Sequence, residues 1–221
     1  MKFFVGRNMW TDGLILNDHY AHRLPTSVCL SVGIRDKNKV VGCCYFSNCT
    51  PGHWKQEVVE LSRLVKKDHV KINLTQLISF GLSHLKRLGF DLVISYADYS
   101  KNHHGGIYQA ASWNFHGKRK ENLNGFIIDG EFIHRRSAYL RYGTSSIKLL
   151  DKIPKAIPFY DDGKFLYWKA LNKKGKKKAV LLKLECNPYP KPGKREIEIK
   201  QYQEHPKRKS TDKFKPLFKM E

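Results

Sequence analysis

The passage from residue 58 to residue 96 constrains the fold most. Val58 to Val65 (Val-Val-Glu-Leu-Ser-Arg-Leu-Val) has the composition of a strand. Ile72 to Leu88 follows as a helix, because Leu74, Leu77, Ile78, Leu82, Leu85 and Leu88 recur at helical spacing. Asn73 is placed to cap its start, and Gly89 stands where a C′ glycine belongs. Asp91 to Tyr96 (Asp-Leu-Val-Ile-Ser-Tyr) is then a mostly apolar, buried strand. Strand, helix and strand at this spacing make a right-handed crossover, so the two strands lie parallel in one sheet. Regular alternation on the first strand puts Val59, Leu61 and Arg63 on one face, and Val58, Glu60, Ser62 and Leu64 on the other.

The flanking segments read as antiparallel. Ser27 to Ile34 and Val40 to Phe46 form a hairpin around the turn 35–39. Ile107 to Phe115 reads as a short helix, and Phe126 to Ile133 as a hairpin in which Asp129-Gly130 fits a type I′ turn. Residues 158–184 suggest another hairpin, with Asp161-Asp162-Gly163 or Lys173-Lys174-Gly175 as its turn. The fold class is therefore α/β: a mixed, mostly antiparallel sheet with a central βαβ crossover and flanking helices. Residues 1–186 make one domain of that class, and 187–221 a loosely ordered basic tail rich in Lys and Pro.

The stretch before Ser27 has no clean period, and His19-x-x-His22 reads as two surface histidines in a loop or short helix. Of the five cysteines, Cys43, Cys44 and Cys49 could gather with His53 around zinc, but adjacent cysteines in an apolar strand fit a core better. No metal site is assigned. No run approaches the roughly 18 apolar residues of a membrane span, and Gly6-Arg7-Asn8 cuts short the apolar start, so a cytoplasmic protein is expected.

Charge selects the partner. The net charge is +21, with 41 Lys and Arg against 20 Asp and Glu. A field of that sign attracts a polyanion, and nucleic acid fits better than a membrane surface.

Two stretches resemble the phage Mom family of DNA-modification proteins, within the GNAT acyltransferase-like superfamily. One is Val59-Glu60-Leu61-Ser62-Arg63-Leu64-Val65. The other runs from Ser95-Tyr96-Ala97-Asp98 through His103-His104-Gly105-Gly106-Ile107-Tyr108-Gln109-Ala110-Ala111-Ser112-Trp113 to Gly117. His134-Arg135-Arg136-Ser137 and Arg141-Tyr142-Gly143 add a weaker echo. The resemblance is dense over residues 60–143. Tyr99 stands where the family has Pro, and Asn102 where Gly is common. The resemblance implies conversion of adenine at N6 to a methylcarbamoyl (acetamido-type) derivative, which protects phage DNA from host restriction. It implies a GNAT-like fold whose two central parallel strands splay apart, and double-stranded DNA as partner, with the adenine flipped out of the stack.

On that implication, Asp98 and His103 handle protons, with Asp98 just past the end of a parallel strand where α/β sheets place ligands. As alternatives, Asp98 caps a turn and His103 is a surface histidine. Arg63 is the fixed cation for a donor carbonyl or leaving anion, with Asp98 as its expected partner and Glu60 on the opposite face. Tyr108 completes the catalytic set. Ser62, Glu60, Ser95, Tyr96, Gln109, Ser112 and Gly105 are expected to bind substrate, and Trp113 to anchor the core. Ser112 and Trp113 are placed one helical turn beyond Tyr108 and Gln109, on the same face. Lys66, Lys67, Lys118, Arg119, Arg135, Arg136, Lys176 and Lys177 are expected on the DNA backbone. The group donor is unknown. Acetyl-CoA is disfavoured, because the segment from Arg63 to Lys71 has no glycine to bare its backbone to a pyrophosphate. Two rival readings are a CoA-dependent N-acyltransferase acting on a protein or RNA amine, and a DNA-binding protein without catalysis.

Overall fold

The structure is a computed structural model that describes residues 1–49, 58–68, 70–99, 103–161 and 163–191. In chain order the elements are β1 (Lys2–Val5), α1 (Met9–Asp18), β2 (Val28–Asp36), β3 (Lys39–Asn48), β4 (Val58–Lys66), α2 (Leu74–Arg87), β5 (Leu92–Asp98), α3 (Gly106–Ala110) and β6 (Asn114–Lys118). After them come β7 (Leu123–Ile128), β8 (Glu131–His134), α4 (Arg135–Tyr142), α5 (Leu149–Lys152), β9 (Ile157–Tyr160), β10 (Lys164–Ala170) and α6 (Lys173–Leu181). They form two compact units, one of residues 1–120 with 163–191 and one of residues 121–161.

The first unit holds a seven-stranded sheet in the order β1-β2-β3-β4-β5-β10-β6. Its neighbours pair antiparallel except β4 and β5, which are parallel. Helix α2 supplies the expected crossover: Asn73 Oδ1 accepts from Thr75 N at 3.1 Å, and Gly89 has φ +88°. Leu77, Ile78 and Leu85 pack with Val59, Leu61, Val93, Trp113 and Tyr167 on one face of the sheet. The opposite face carries Leu14 and Ile15 of α1 against Cys43, Tyr45 and Val65, and Ala179 of α6 against Val58, Ile94 and Trp168. Phe46 fills the space that a Cβ at Gly81 would need, so the glycine lets α2 lie close to the sheet.

A bulge in β4 positions the site. Phe46 pairs with Leu61 and Tyr45 with Arg63, so Ser62 is an extra residue. An extra residue reverses the alternation beyond it. Arg63 therefore shares a face with its partner Tyr45, as Glu60 does with Ser47, whereas Leu61 and Leu64 both join the α2 side. The expectation that Glu60 and Arg63 point to opposite faces is overturned, because it assumed a regular strand. Beside the bulge, β4 pairs with β5 only through Val58–Leu92, Val59–Val93 and Glu60–Ile94. Past those pairs a gap opens.

Several other expectations change. The aperiodic start contains β1 and α1. That helix buries only Thr11, Leu14 and Ile15, too few to leave a pattern, but a capping box of Asn8 and Thr11 starts it. Helix α3 stops at Ala110 instead of running to Phe115. Ser112 has φ +56°, the chain turns, and Trp113 and Phe115 enter the core. Ser112 and Trp113 thus do not continue the face of Tyr108 and Gln109. Residues 158–184 are not a hairpin: β9 pairs with β7, and β10 lies between β5 and β6. The lysine block expected as a turn is the start of α6, capped by Asn172 Oδ1 accepting from Gly175 N at 2.8 Å. Residues 187–190 are docked, since Asn187 N donates to Phe115 O and Tyr189 Oη to Trp113 O. The remainder of the expected tail, from residue 192, lies outside the described residues.

The second unit is a three-stranded sheet, β8-β7-β9, covered by α4 and α5. Phe126, Ile133, Ala138, Leu149 and Ala156 form its core. Asp129 (φ +50°) and Gly130 (φ +79°) make the turn expected there.

Candidate active site

Where β4 and β5 part, a cleft of about 420 Å³ opens. Glu60, Ser62 and Arg63 line it from β4, Tyr96 from β5, and Lys164 from β10. His103, Gly105 and Tyr108 line it from the connection after β5 and from α3. His19 and Tyr20, just past α1, complete the wall. Gly105 is required: its φ is +83°, and a Cβ would run into the Tyr167 ring. Tyr167 Oη in turn donates to His104 O at 2.6 Å and fixes the loop.

Glu60, Arg63 and Lys164 are half-buried and act on one another through space. Burial pushes the Glu60 carboxyl above its ordinary pKa, and the cations Lys164 and Arg63 offset part of that rise. Arg63 donates from Nε to Arg23 O at 2.9 Å and from Nη1 to Ser62 O, which fixes its head group. Burial lowers its pKa, but a guanidinium still stays charged. His19 is buried, not a surface residue, and its pKa falls to about 4 through burial first, then through the neighbouring Arg63, His103 and His22. Its Nδ1 faces Ala21 N at 3.0 Å, so the neutral ring accepts there. His19 stacks on Tyr20, and Tyr20 meets His103 edge-on.

Of the residues singled out from sequence, Glu60, Ser62, Arg63, Tyr96, His103, Gly105 and Tyr108 meet in this cleft. Asp98 is the last residue of β5, not just beyond it. It stands opposite Lys164 in register and is close enough to Tyr20 to help raise that phenol's pKa. Arg63's hydrogen bonds go to main-chain carbonyls, not to Asp98.

Three residues expected to touch substrate lie outside the lining of this cleft. Ser95 is fully buried on the α2 side, its Oγ 2.8 Å from Leu61 O and 2.7 Å from Tyr108 Oη, tying β4 to α3 across the gap. The Gln109 amide donates to His104 O, Tyr167 Oη and Pro190 O at 3.1–3.4 Å. Ser112 sits in a turn, and its carbonyl accepts from Lys169 Nζ at 2.6 Å. Trp113 is a core anchor. Sequence reasoning missed His19, Tyr20 and Lys164. A histidine–tyrosine pair ending a helix was the one available signal for the first two, and that helix has no legible period.

Among the basic residues expected on DNA, Lys176 and Lys177 are exposed on α6, and Lys66 and Lys67 lie at the end of β4. Lys118 Nζ lies 4.9 Å from the centre of the Tyr99 ring, and Arg119 is exposed beside it. Arg135 and Arg136 begin α4 in the second unit. Cys43 and Cys44 pack into cores on opposite faces of the sheet, so the two thiols diverge. Burial, then Asp12, pushes Cys43 up to about 12. His53 lies outside the described residues. Among the described residues, no three His, Cys, Asp or Glu gather as a metal site, and no helix is long and apolar enough to cross a membrane.

A mostly antiparallel sheet with one splayed parallel pair and a crossover helix behind it defines a mixed α/β fold of the GNAT kind. Solved structures similar to the chain include a GNAT family N-acetyltransferase from Escherichia coli in complex with CoA (14% identity, 79% of this chain and 83% of that one, TM-score 0.43). An aminoglycoside 6'-N-acetyltransferase from Enterococcus faecium (11%, 78% and 98%, TM-score 0.46) and an N-acetyltransferase from Staphylococcus aureus (11%, 78% and 100%, TM-score 0.46) are further examples. No curated protein matches. The model of the Mom protein family matches residues 9–191, and the chain belongs to that family.

Proposed function

We propose that this protein modifies adenine in double-stranded DNA, transferring a methylcarbamoyl-type group to N6 of a base extruded into the β4–β5 cleft. The observation that carries this reading is the convergence of Glu60, Arg63, Tyr96, His103 and Tyr108 on one gap. At about 420 Å³ it falls in the range, about 300–1,000 Å³, of small-ligand sites. A base inside the duplex is out of reach of such a cleft, so extrusion is required.

Adenine N6 is a weak nucleophile. As its bond to the incoming carbon forms, the N6 proton must leave and the departing group must take the bonding pair. We assign the proton to His103, which lines the cleft, and to Asp98, which ends β5 outside that lining, and the charge on the carbonyl or the departing group to the fixed Arg63 guanidinium. Tyr96, Tyr108 and Tyr20 supply aromatic walls for a purine. The residues present do not fit a CoA pyrophosphate held by backbone N–H groups. The segment 63–73 has no glycine, and Asn73's own side chain caps the start of α2. This favours DNA modification over a CoA-dependent N-acyltransferase.

The deciding measurement is nucleoside mass spectrometry of plasmid DNA from cells expressing the chain. An added mass on deoxyadenosine, absent with Asp98→Ala, is the expected result. Unmodified deoxyadenosine despite folded protein would reject the proposal.

A further inference from the structure

Helix α4 carries two of its three cations at the wrong end for stability. Arg135 and Arg136 occupy its first turn, with no acid there, although the N-terminal end of a helix is the positive one. The helix buries Ala138 but leaves Leu140 84% and Tyr139 59% exposed. Departures from a local rule are expected at functional or strained sites.

Charge in this unit is also sorted along the chain. Residues 135–155 hold Arg135, Arg136, Arg141, Lys148, Lys152 and Lys155 against Asp151, whereas Glu121, Asp129, Glu131 and Asp161 lie in the flanking strand segments. An open cavity of about 580 Å³ beside α4 is lined by Asn124, His134, Arg135, Arg136, Tyr139 and Leu140, among others. Arg135 is fixed there by donating to Ser145 O at 2.9 Å and Leu123 O at 3.3 Å.

We propose that α4 is a wedge for duplex DNA: Leu140 enters a base step with Tyr139 against the loosened bases, while Arg136 and Arg141 hold the flanking phosphates. Apolar side chains on a basic element are a recognised means of unstacking a step and bending a duplex. Cations on both sides of Leu140 suit a polyanion and oppose a basic partner. The proposal rests on the reading above only in taking DNA as the substrate. It gives the second unit a duplex-opening role of its own.

The test uses the full chain and a duplex carrying 2-aminopurine in place of one adenine, whose emission rises on unstacking. Wild type should raise emission, and Leu140→Ala should cut the rise at least threefold while changing affinity less than twofold. Arg136→Gln with Arg141→Gln should weaken binding fivefold or more and flatten the salt dependence by about two ion equivalents. Leu140 is exposed, so its variant should keep the wild-type thermal midpoint, which serves as the folding control. Full emission from Leu140→Ala overturns the wedge. So does a dimer that dissociates on Leu140→Ala with the emission unchanged, which would assign the face to a second copy. Emission needs no group transfer. Modified deoxyadenosine without the wedge signal therefore removes only this inference, and the wedge signal without modification removes only the function proposed above.

Discussion

Tyr20 meets His103 edge-on, with ring centroids 5.3 Å apart and planes 75° from parallel. One residue follows α1 and the other follows β5, so the contact joins two walls of the cleft that are distant in sequence. Burial, then Asp98, raises the Tyr20 phenol's pKa, so the ring touches His103 and lies within electrostatic reach of Asp98. Tyr20→Ala should lower deoxyadenosine modification by about tenfold or more, because a misplaced reacting group is costly. Tyr20 is half-exposed, and its truncation should shift the urea midpoint little. Tyr20→Phe should keep most of the modification, since the ring supplies the contact. Equal losses in the two variants would assign the effect to the hydroxyl instead.

His19 makes stability pH-dependent. Its folded pKa of about 4 lies below the ordinary 6.5, so between these values the unfolded chain binds more protons. The stability it contributes is complete above about pH 6.5 and is lost as pH falls towards 4. Protonation would also turn Nδ1 from an acceptor into a donor facing Ala21 N, which ends that hydrogen bond. Between pH 7 and pH 4.5, wild type should lose on the order of 2–3 kcal/mol more than His19→Gln. Urea unfolding of both proteins at the two pH values measures the difference, and parallel losses would refute it.

Glu60 has the opposite sign. Its raised pKa means that folding opposes its ionisation, so its penalty is absent below the ordinary carboxyl pKa and grows as pH rises through the folded value. Glu60→Gln should therefore unfold at higher urea than wild type at pH 8, and the advantage should vanish at pH 4. Modification should fall about tenfold or more, the common trade of stability for function at a strained site. A variant that is less stable at pH 8 would show that Lys164 and Arg63 more than compensate the buried charge.

The crossover, α2 with both its caps, the first hairpin and the Asp129-Gly130 turn were legible because each repeats a local rule of period or turn chemistry. The cleft residues on β4 and α3 were legible through motif resemblance. What escaped depends on non-local structure. The Ser62 bulge adds one residue relative to β3, and nothing local to β4 records that count. β10 leaves its neighbour β9 to pair with β5, and it brings Lys164 opposite Asp98 by register alone. Gln109 and Ser112 sit in a specific-looking motif, yet their partners are Pro190 and Lys169, far along the chain.

Ser95 separates motif membership from chemistry. It belongs to the same stretch as Asp98, but β5 alternates, so Ser95 faces α2 while Tyr96 faces the cleft. Its Oγ binds Leu61 O and Tyr108 Oη where β4 and β5 no longer pair. Ser95→Ala leaves Leu61 O without the Oγ donor and Tyr108 Oη without its Oγ partner, both in a buried setting, which should cost about 1–3 kcal/mol. Because the hydroxyl does not line the cleft, deoxyadenosine modification per folded molecule should stay within about threefold of wild type. Ser95→Thr tests crowding, since the added methyl enters a packed core and should destabilise further. A Ser95→Ala protein of unchanged stability but lost modification would return this serine to the substrate side.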